Sequence, residues 1–163
     1  MSWPDNRPAG RAQLRLGDES FGGGRSLRIA FVVDPLDSLK AYKDSSIAMM
    51  RAAERHGHLV YAIESHSLCW RRPEPGQPGV WGEAVHLHPR ADEHDWYRET
   101  GREMLPLRSF DVVLMRKDPP FDSEYLTVTW LLQRAEAEGV RVFNRPQALR
   151  DHSEKLAIAE FNA

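Results

Sequence analysis

The sequence of 163 residues has little of several features, and each shortage excludes a class of protein. Its one cysteine, Cys69, has no partner for an internal disulfide bond, which excludes a small secreted fold that disulfides hold together. No apolar run approaches the roughly 20 residues that a transmembrane helix needs. The 22 basic and 24 acidic residues nearly cancel, so no overall field attracts nucleic acid or an anionic membrane. We therefore expect a cytoplasmic protein without nucleic-acid or membrane partners.

Large apolar side chains are scarce at the start of the chain. Residues 1–26 contain scattered charges, prolines and three consecutive glycines at 22–24, and this composition predicts a disordered extension. No apolar segment suitable for a signal peptide occurs there. The glycines precede a strand instead of following one, so they do not form a phosphate-binding loop.

Apolar runs and helix-boundary residues predict the remaining elements. Continuous apolar runs predict buried strands at 28–34 and 112–115, and further strands are predicted at 59–63 and 140–144. Asp44, Ser45 and Ser46 begin a helix that Gly57 ends, and a second helix follows the third strand and ends at Gly139. A strand, a helix and a strand in this order form a right-handed crossover, which predicts a parallel sheet.

The segments between these elements predict smaller features. Residues 67–88 surround a loop rich in proline and glycine and predict an edge hairpin. Residues 95–102 predict a short helix with Trp96 and Tyr97 packed inward. Pro146 fits the first position of a short helix, and residues 151–154 have the spacing of a capping box at the start of another. His86 and His88 face one side of a strand, but no second close pair completes a metal site, and none is predicted.

The most informative stretch is 112–122, an apolar strand that ends at a charged triplet and two prolines. Asp122 then occupies the N-cap position of the next helix. The loop presents Arg116, Lys117 and Asp118 at the carboxyl end of a central strand, where open parallel sheets bind ligands. A guanidinium, an ammonium and a carboxylate suit a zwitterionic small molecule. The alternative is an ordinary turn with charges on its surface.

Two helix starts offer further candidate positions. The segment of Asp44, Ser45 and Ser46 has free backbone N–H donors that suit an anionic ligand, although these residue types also cap helices for stability alone. Lys155 lies in the first turn of the last predicted helix, where the helix dipole disfavours a cation. This position favours a ligand contact only weakly, and a solvated lysine is the alternative.

Four separated motifs occur together in this chain. They are Val33-Asp34-Pro35, Lys43-Asp44-Ser45-Ser46, the stretch 114–122, and the stretch 144–151 with Glu154-Lys155-Leu156. In this order and spacing they closely resemble the N-terminal part of bacterial glutathione synthetase, over about residues 28–161. Only the loop at 71–80 and the glycine-rich tail depart from the family pattern.

The resemblance implies an ATP-grasp ligase that joins γ-glutamylcysteine to glycine. In that family ATP phosphorylates the cysteinyl carboxylate, and the glycine amine then displaces phosphate. The expected fold is α/β, with a Rossmann-like, mostly parallel sheet flanked by helices. Residues 27–144 would form this pre-ATP-grasp domain, and residues 145–163 would begin the linker to the ATP-grasp region.

The resemblance also implies roles for individual residues. Arg116, Asp118, Asp44, Ser45 and Ser46 are expected to bind the dipeptide, and Lys155 to approach the nucleotide. ATP and Mg²⁺ are the expected cofactors, and a homo-oligomer is expected for the complete enzyme.

The chain ends before any phosphate-covering loop or magnesium-binding carboxylate of that family. We therefore expect no catalytic residue in it and no activity of the isolated chain, which would be a truncated protein, a gene fragment or one half of a split enzyme. One alternative is a non-catalytic interaction or oligomerisation domain that keeps the fold. An independent nucleotide-binding domain is disfavoured, since the turn after the first strand has no glycine.

Overall fold

The computed structural model describes residues 25–72 and 74–152. Its strands are β1 (Arg28–Val33), β2 (Leu59–Glu64), β3 (Cys69–Trp70), β4 (Val80–Pro89), β5 (Tyr97–Pro106), β6 (Val112–Met115) and β7 (Val142–Phe143). Its α-helices are α1 (Ser45–Arg55), α2 (Ser123–Ala137) and α3 (Pro146–Asp151). Short 3-10 helices occupy Leu36–Ser38, Ser65–Ser67 and Leu107–Ser109. Within these described ranges, no helix is long and apolar enough to cross a membrane.

The strands form one sheet in the order β3, β4, β2, β1, β6, β7, with β5 also paired to β4. The parallel half contains β1, which pairs with β2 and β6, and β7, which pairs with β6. The antiparallel half contains β4, which pairs with β2, β3 and β5. The predicted class, an α/β fold with a mostly parallel sheet between helices, is confirmed.

After Arg28, strand β1 is apolar because both of its faces are covered. Ala30 and Val32 belong to the core on the α2 side of the sheet, and Phe31 and Val33 belong to the core on the α1 side. All four side chains are buried. Both faces of the sheet are thus packed where β1 ends, and the loop that follows begins at a buried strand end.

The predicted boundaries of α1 and α2 and the predicted start of α3 are confirmed. Asp44 and Asp122 are the N-caps of α1 and α2, and their carboxylates accept backbone N–H groups of the first turn. Gly57 and Gly139 follow the helix ends with φ of 78° and 92°, a conformation that glycine adopts without strain. Pro146 is the first residue of α3, as predicted.

The predicted helix at 95–102 is wrong, because this segment leads into strand β5. Residues from Tyr97 onward pair with β4, which supplies the hydrogen-bond partners that an isolated helix would find within itself. The Asp92 carboxylate accepts the N–H groups of His94 and Asp95 and forms the preceding turn. Trp96 is buried and Tyr97 is half-buried, so their inward packing is confirmed.

Two strand predictions need smaller corrections. The strand predicted at 140–144 contains only Val142 and Phe143, because only these residues pair with β6. Strand β6 is fully buried on one face only, since Val112 and Leu114 are half-buried. The predicted hairpin of β3 and β4 is present, but β5 covers the other edge of β4. The edge of the sheet is therefore β5, which follows β4 in the chain.

Several predictions concern the chain ends. Arg25 forms an ion pair with Asp111, and the Ser26 hydroxyl donates to the Gly57 carbonyl. Residues 1–24 of the predicted extension lie outside the described residues. Asp151, the expected first residue of a capping box, is instead the last residue of α3, which His152 follows as the C-cap. Ser153 and Glu154 of that box, like Lys155, lie outside the described part.

Candidate functional site

The candidate site lies where β1 and β6 end beside the start of α1. These parallel neighbours end at the same edge of the sheet, and the Arg116 N–H continues their ladder by donating to the Val32 carbonyl at 2.8 Å. Asp34 follows β1 and Arg116 follows β6. The pairing therefore brings together two loops that are far apart in the sequence, at the edge where open parallel sheets bind ligands.

Arg116 joins this edge to the start of α1. Its Nε donates to the Ser46 hydroxyl at 3.1 Å, and its Nη2 donates to the Ser45 hydroxyl at 2.7 Å. Asp44 Oδ1 accepts the N–H groups of Ser46 and Ile47 at 2.7 and 3.3 Å. The structure thus brings four of the five predicted dipeptide-binding residues into one connected group.

Lys117 is not available to a ligand, contrary to the expectation that its ammonium faces one. Its Nζ lies 2.8 Å from Asp34 Oδ1 and 3.1 Å from Glu124 Oε1, and its side chain is only 10% exposed. Burial alone lowers the pKa of Lys117, but hydrogen bonds to the two carboxylates outweigh that effect, and the pKa is raised above its ordinary value. Lys117 therefore holds β1, β6 and α2 together.

Asp118, the fifth predicted residue, is held by its backbone. Its N–H donates to Asp34 Oδ2 at 2.8 Å, while Lys117 takes Asp34 Oδ1. The loop that carries Asp118 contains a cis peptide bond between Pro119 and Pro120. Both oxygens of Asp34 are thus used within the protein, whereas the Asp118 side chain is exposed.

An open cavity of about 390 Å³ lies between these loops. Its volume is within the range of roughly 300 to 1,000 Å³ that is usual for small-molecule sites. The residues that line it are Asp34, Ser38, Leu39, Lys40, Lys43, Asp44, Ser45, Ser46 and Asp118. Arg116 does not line the cavity directly, and it reaches the cavity through the two serine hydroxyls that it holds.

Sequence reasoning missed Lys40 and Lys43 as site residues. The Lys40 carbonyl accepts the N–H groups of Lys43 and Asp44 at 3.0 and 2.9 Å, so a turn places this segment against the helix start. The signal was their position, because a loop that leaves β1 and enters α1 must cross the carboxyl edge of the sheet. Among the described residues, no side chain forms an ion pair or hydrogen bond with the side chains of Lys40, Lys43 or Asp118.

The two histidines that face the same side of β4 have separate partners. The ring centroids of His86 and His88 lie 5.3 Å apart. His86 Nδ1 lies 2.9 Å from the Thr100 hydroxyl, and His88 Nδ1 lies 2.7 Å from Glu54 Oε1. Over residues 25–72 and 74–152, no group of three or more histidine, cysteine, aspartate or glutamate side chains could hold a metal ion.

Comparison with known proteins gives a consistent set of matches. The family described as prokaryotic glutathione synthetase, N-terminal domain, matches residues 27–150. Glutathione synthetase of Ralstonia nicotianae is 54% identical over 135 residues, which are 83% of this chain and 40% of that protein. Glutathione synthetase of Nitrosomonas europaea is 47% identical over 135 residues, which are 83% of this chain and 42% of the relative.

A third relative extends the agreement. Glutathione synthetase of Bordetella pertussis is 46% identical over 138 residues, which are 83% of this chain and 42% of that protein. The chain therefore spans about two fifths of the length of the curated relatives that it matches.

Proposed function

Since the chain belongs to the family of the prokaryotic glutathione synthetase N-terminal domain, we propose that it binds γ-glutamylcysteine for the ligase that joins this dipeptide to glycine. One observation carries the proposal. The cavity at the carboxyl edge of the sheet is lined by two lysines, three aspartates and serine hydroxyl groups, and Lys40, Lys43 and Asp118 have no side-chain partner among the described residues. A zwitterionic dipeptide with one ammonium and two carboxylates would satisfy such groups.

The serine hydroxyls support the binding of a carboxylate. A hydroxyl has one donor and two acceptor positions, and the oxygens of Ser45 and Ser46 accept from Arg116. The hydrogen of the exposed Ser45 hydroxyl is then directed away from the guanidinium and is available to an anionic ligand, whereas Ser46 is buried and supports Arg116. The positive charge of Arg116 and the N-terminal dipole of α1 add to this preference. Asp44 contributes by capping the helix start, and Asp118 would accept from the dipeptide ammonium.

The cofactors belong to the complete ligase in this proposal. ATP would activate the cysteinyl carboxylate as an acyl phosphate, with Mg²⁺ neutralising charge on the phosphates. The residues assigned here bind the dipeptide only, and Lys155 remains the proposed contact with the nucleotide. The isolated chain forms no glutathione by itself, and the complete enzyme is a cytoplasmic homo-oligomer.

Calorimetric titration of γ-glutamylcysteine into the chain tests the proposal. Arg116→Lys keeps the charge but loses the fork that holds both serines, so the Kd should rise roughly ten- to a hundredfold, because a charge-assisted hydrogen bond contributes about 1.5 to 3 kcal/mol. Arg55→Lys, at the exposed far end of α1, is the matched control and should leave the Kd unchanged.

Melting curves of the same variants separate binding from stability. If Arg116 only supports the fold, Arg116→Lys melts earlier while the Kd of its folded fraction stays at the original value. Absence of binding by the original chain at millimolar dipeptide would refute the proposal outright.

Two exposed aromatic side chains favour the second candidate, a non-catalytic interaction or oligomerisation domain. Trp130 on α2 is 58% exposed and Phe143 on β7 is 54% exposed. Sedimentation of the chain over a range of concentrations, with Trp130→Ser and Phe143→Ser as variants, would reveal self-association through these residues. A monomer with dipeptide affinity would favour the first candidate.

A further inference from the structure

We infer that Lys40 and Lys43 determine the specificity of the cavity by binding the α-carboxylate of the glutamyl residue, while Asp118 binds the ammonium on the same carbon. This inference rests on the proposed function and adds Lys40 and Lys43 to Asp118 as the residues that recognise one end of the dipeptide. The cavity would thus recognise the α-ammonium and α-carboxylate of a glutamyl residue whose side chain forms the amide bond to the next residue.

The chemistry of the reaction decides which end of the dipeptide lies in the cavity. The cysteinyl carboxylate must meet the phosphate donor and then the glycine amine, so it must face away from the walls that this chain supplies. The glutamyl head does not react. It can therefore remain bound through the whole reaction, with its two charged groups held by fixed partners.

Cations that could bind the α-carboxylate are few at this edge, because the protein uses most of them. Lys117 is paired with Asp34 and Glu124 and is nearly buried. Arg116 donates to two serines. Lys40 and Lys43 line the same cavity, and no described carboxylate pairs with either. Two ammonium groups near one cavity repel each other, and a bound carboxylate removes that repulsion.

The carboxylates that line the cavity are likewise mostly used. Asp34 accepts from Lys117 and from the Asp118 N–H. Asp44 accepts two N–H groups of α1. Asp118 alone among the described lining carboxylates accepts from no other residue, and its backbone contact with Asp34 fixes the loop that carries it. One free carboxylate matches the one ammonium of the dipeptide.

Two analogues of the dipeptide separate the two contacts. N-glutarylcysteine lacks the α-ammonium but keeps both carboxylates, and 4-aminobutanoylcysteine lacks the α-carboxylate but keeps the ammonium. The original chain should bind each analogue about tenfold or more weakly than γ-glutamylcysteine, since each analogue leaves one charged protein group without its partner.

Calorimetric titration of the three ligands into variants then pairs each residue with one ligand group. Lys43→Met and Lys40→Met should each weaken γ-glutamylcysteine about tenfold and 4-aminobutanoylcysteine less than about twofold. Asp118→Asn should weaken γ-glutamylcysteine and 4-aminobutanoylcysteine about tenfold and N-glutarylcysteine less than about twofold. Arg55→Met removes a distant exposed cation and is the control. A melting curve of every variant checks that it folds, and Lys43→Gln replaces Lys43→Met if the latter does not fold.

The outcomes distinguish this inference from the proposed function. If γ-glutamylcysteine binds but each variant weakens all three ligands equally, the assignment of Lys40, Lys43 and Asp118 is wrong and the proposed function stands. Equal affinity of the original chain for all three ligands would likewise show that the assignment is wrong and would leave the proposed function in place. If γ-glutamylcysteine does not bind, both proposals fail together.

Discussion

Arg102 in the antiparallel half of the sheet differs from two charged side chains at the carboxyl edge of the parallel half in whether they have partners. In the antiparallel half, Arg102 on β5 lies 2.9 Å from both Glu83 and Glu99. At the carboxyl edge of the parallel half, Lys43 and Asp118 line a cavity and have no charged partner among the described residues. The same kinds of side chain are thus neutralised in one region and left available in the other.

The difference separates charges that protect a surface from charges that suit a ligand. Hydrogen bonds from Arg102 lower the pKa of Glu99, and hydrogen bonds to Glu99 and Glu83 raise the pKa of Arg102. Exposed pairs of this kind contribute little stability, but charges along β5 keep an open sheet edge from pairing with other chains. Charges without partners around a concave site add no stability to the protein until a ligand supplies the opposite charges.

The largest expected contrast in stability comes from packing. Leu132 on α2 is fully buried against the parallel half, and Leu132→Ala should lower the free energy of unfolding by about 2 to 5 kcal/mol. Met104 on β5 is 37% exposed, and Met104→Ala should change it by less than about 0.5 kcal/mol. Urea unfolding of both variants measures the contrast, and similar losses would show that β5 is packed as tightly as α2.

The next contrast compares two ion-pair networks. Lys117→Met leaves two carboxylates beside each other without their cation, and it should cost about 1 to 3 kcal/mol of unfolding free energy. Arg102→Met removes a 41% exposed side chain from a similar network and should cost less than about 1 kcal/mol.

The pH dependence of the Lys117 network sharpens this prediction. The pKa of Lys117 is raised in the folded protein. The contribution of Lys117 to the unfolding free energy is therefore complete below about pH 10.5 and is lost as the pH rises through the raised pKa. The difference in unfolding free energy between the original chain and Lys117→Met should therefore be constant from pH 7 to 9. A difference that changes across this range would contradict the assignment.

Asp44 allows helix capping to be separated from charge. Asp44→Ala removes the acceptor for two N–H groups of α1 and should lower the unfolding free energy by about 1 kcal/mol. Asp44→Asn keeps an equivalent cap and should be nearly neutral. Asp92→Ala in the exposed turn before β5 should have a smaller effect than Asp44→Ala. Thermal melting of the three variants tests whether Asp44→Ala destabilises the protein most. A large effect of Asp44→Asn would show that the charge of Asp44 matters more than its role as a cap.

The smallest expected effect concerns His86. Burial, the neighbouring His88 and Arg28 lower the pKa of His86, and Glu54 opposes this shift. As the pH falls, His86 is therefore protonated in the unfolded chain before it is protonated in the folded protein. Its contribution to the unfolding free energy is complete above about pH 6.5 and is lost as the pH falls through the lowered pKa. His86→Gln should flatten the fall in unfolding free energy between pH 7 and 5.

Local signals predicted most of the fold. The apolar run of β1 and the glycines after α1 and α2 specify their elements through properties of the residues themselves, namely the need to bury both faces of a strand and the freedom to adopt positive φ. The helix predicted at 95–102 failed because its residues have no decisive local preference. Pairing with β4 determined that segment, and pairing depends on residues elsewhere in the chain.

The candidate site was predictable to the extent that it follows from the topology. Arg116 and Asp118 were recognised because they end a buried strand, and Asp44, Ser45 and Ser46 because they begin a helix. Lys40 and Lys43 were missed because their residue type resembles that of solvated lysines, and only the position of their loop between β1 and α1 points to the site. Only the parallel pairing of β1 with β6 brings them to the same cavity as Asp118.

By itself, the sequence determined the elements of the parallel half, the caps of α1 and α2, and the kinds of charge at the carboxyl edge of the sheet, since these follow from apolar patterns and backbone preferences within short segments. The tertiary structure alone decided which of those charges have partners. Lys117 pairs with Asp34 and Glu124, whereas Lys43 meets none of the described carboxylates, because the energy of an ion pair depends on the distance between groups that only the folded chain brings together.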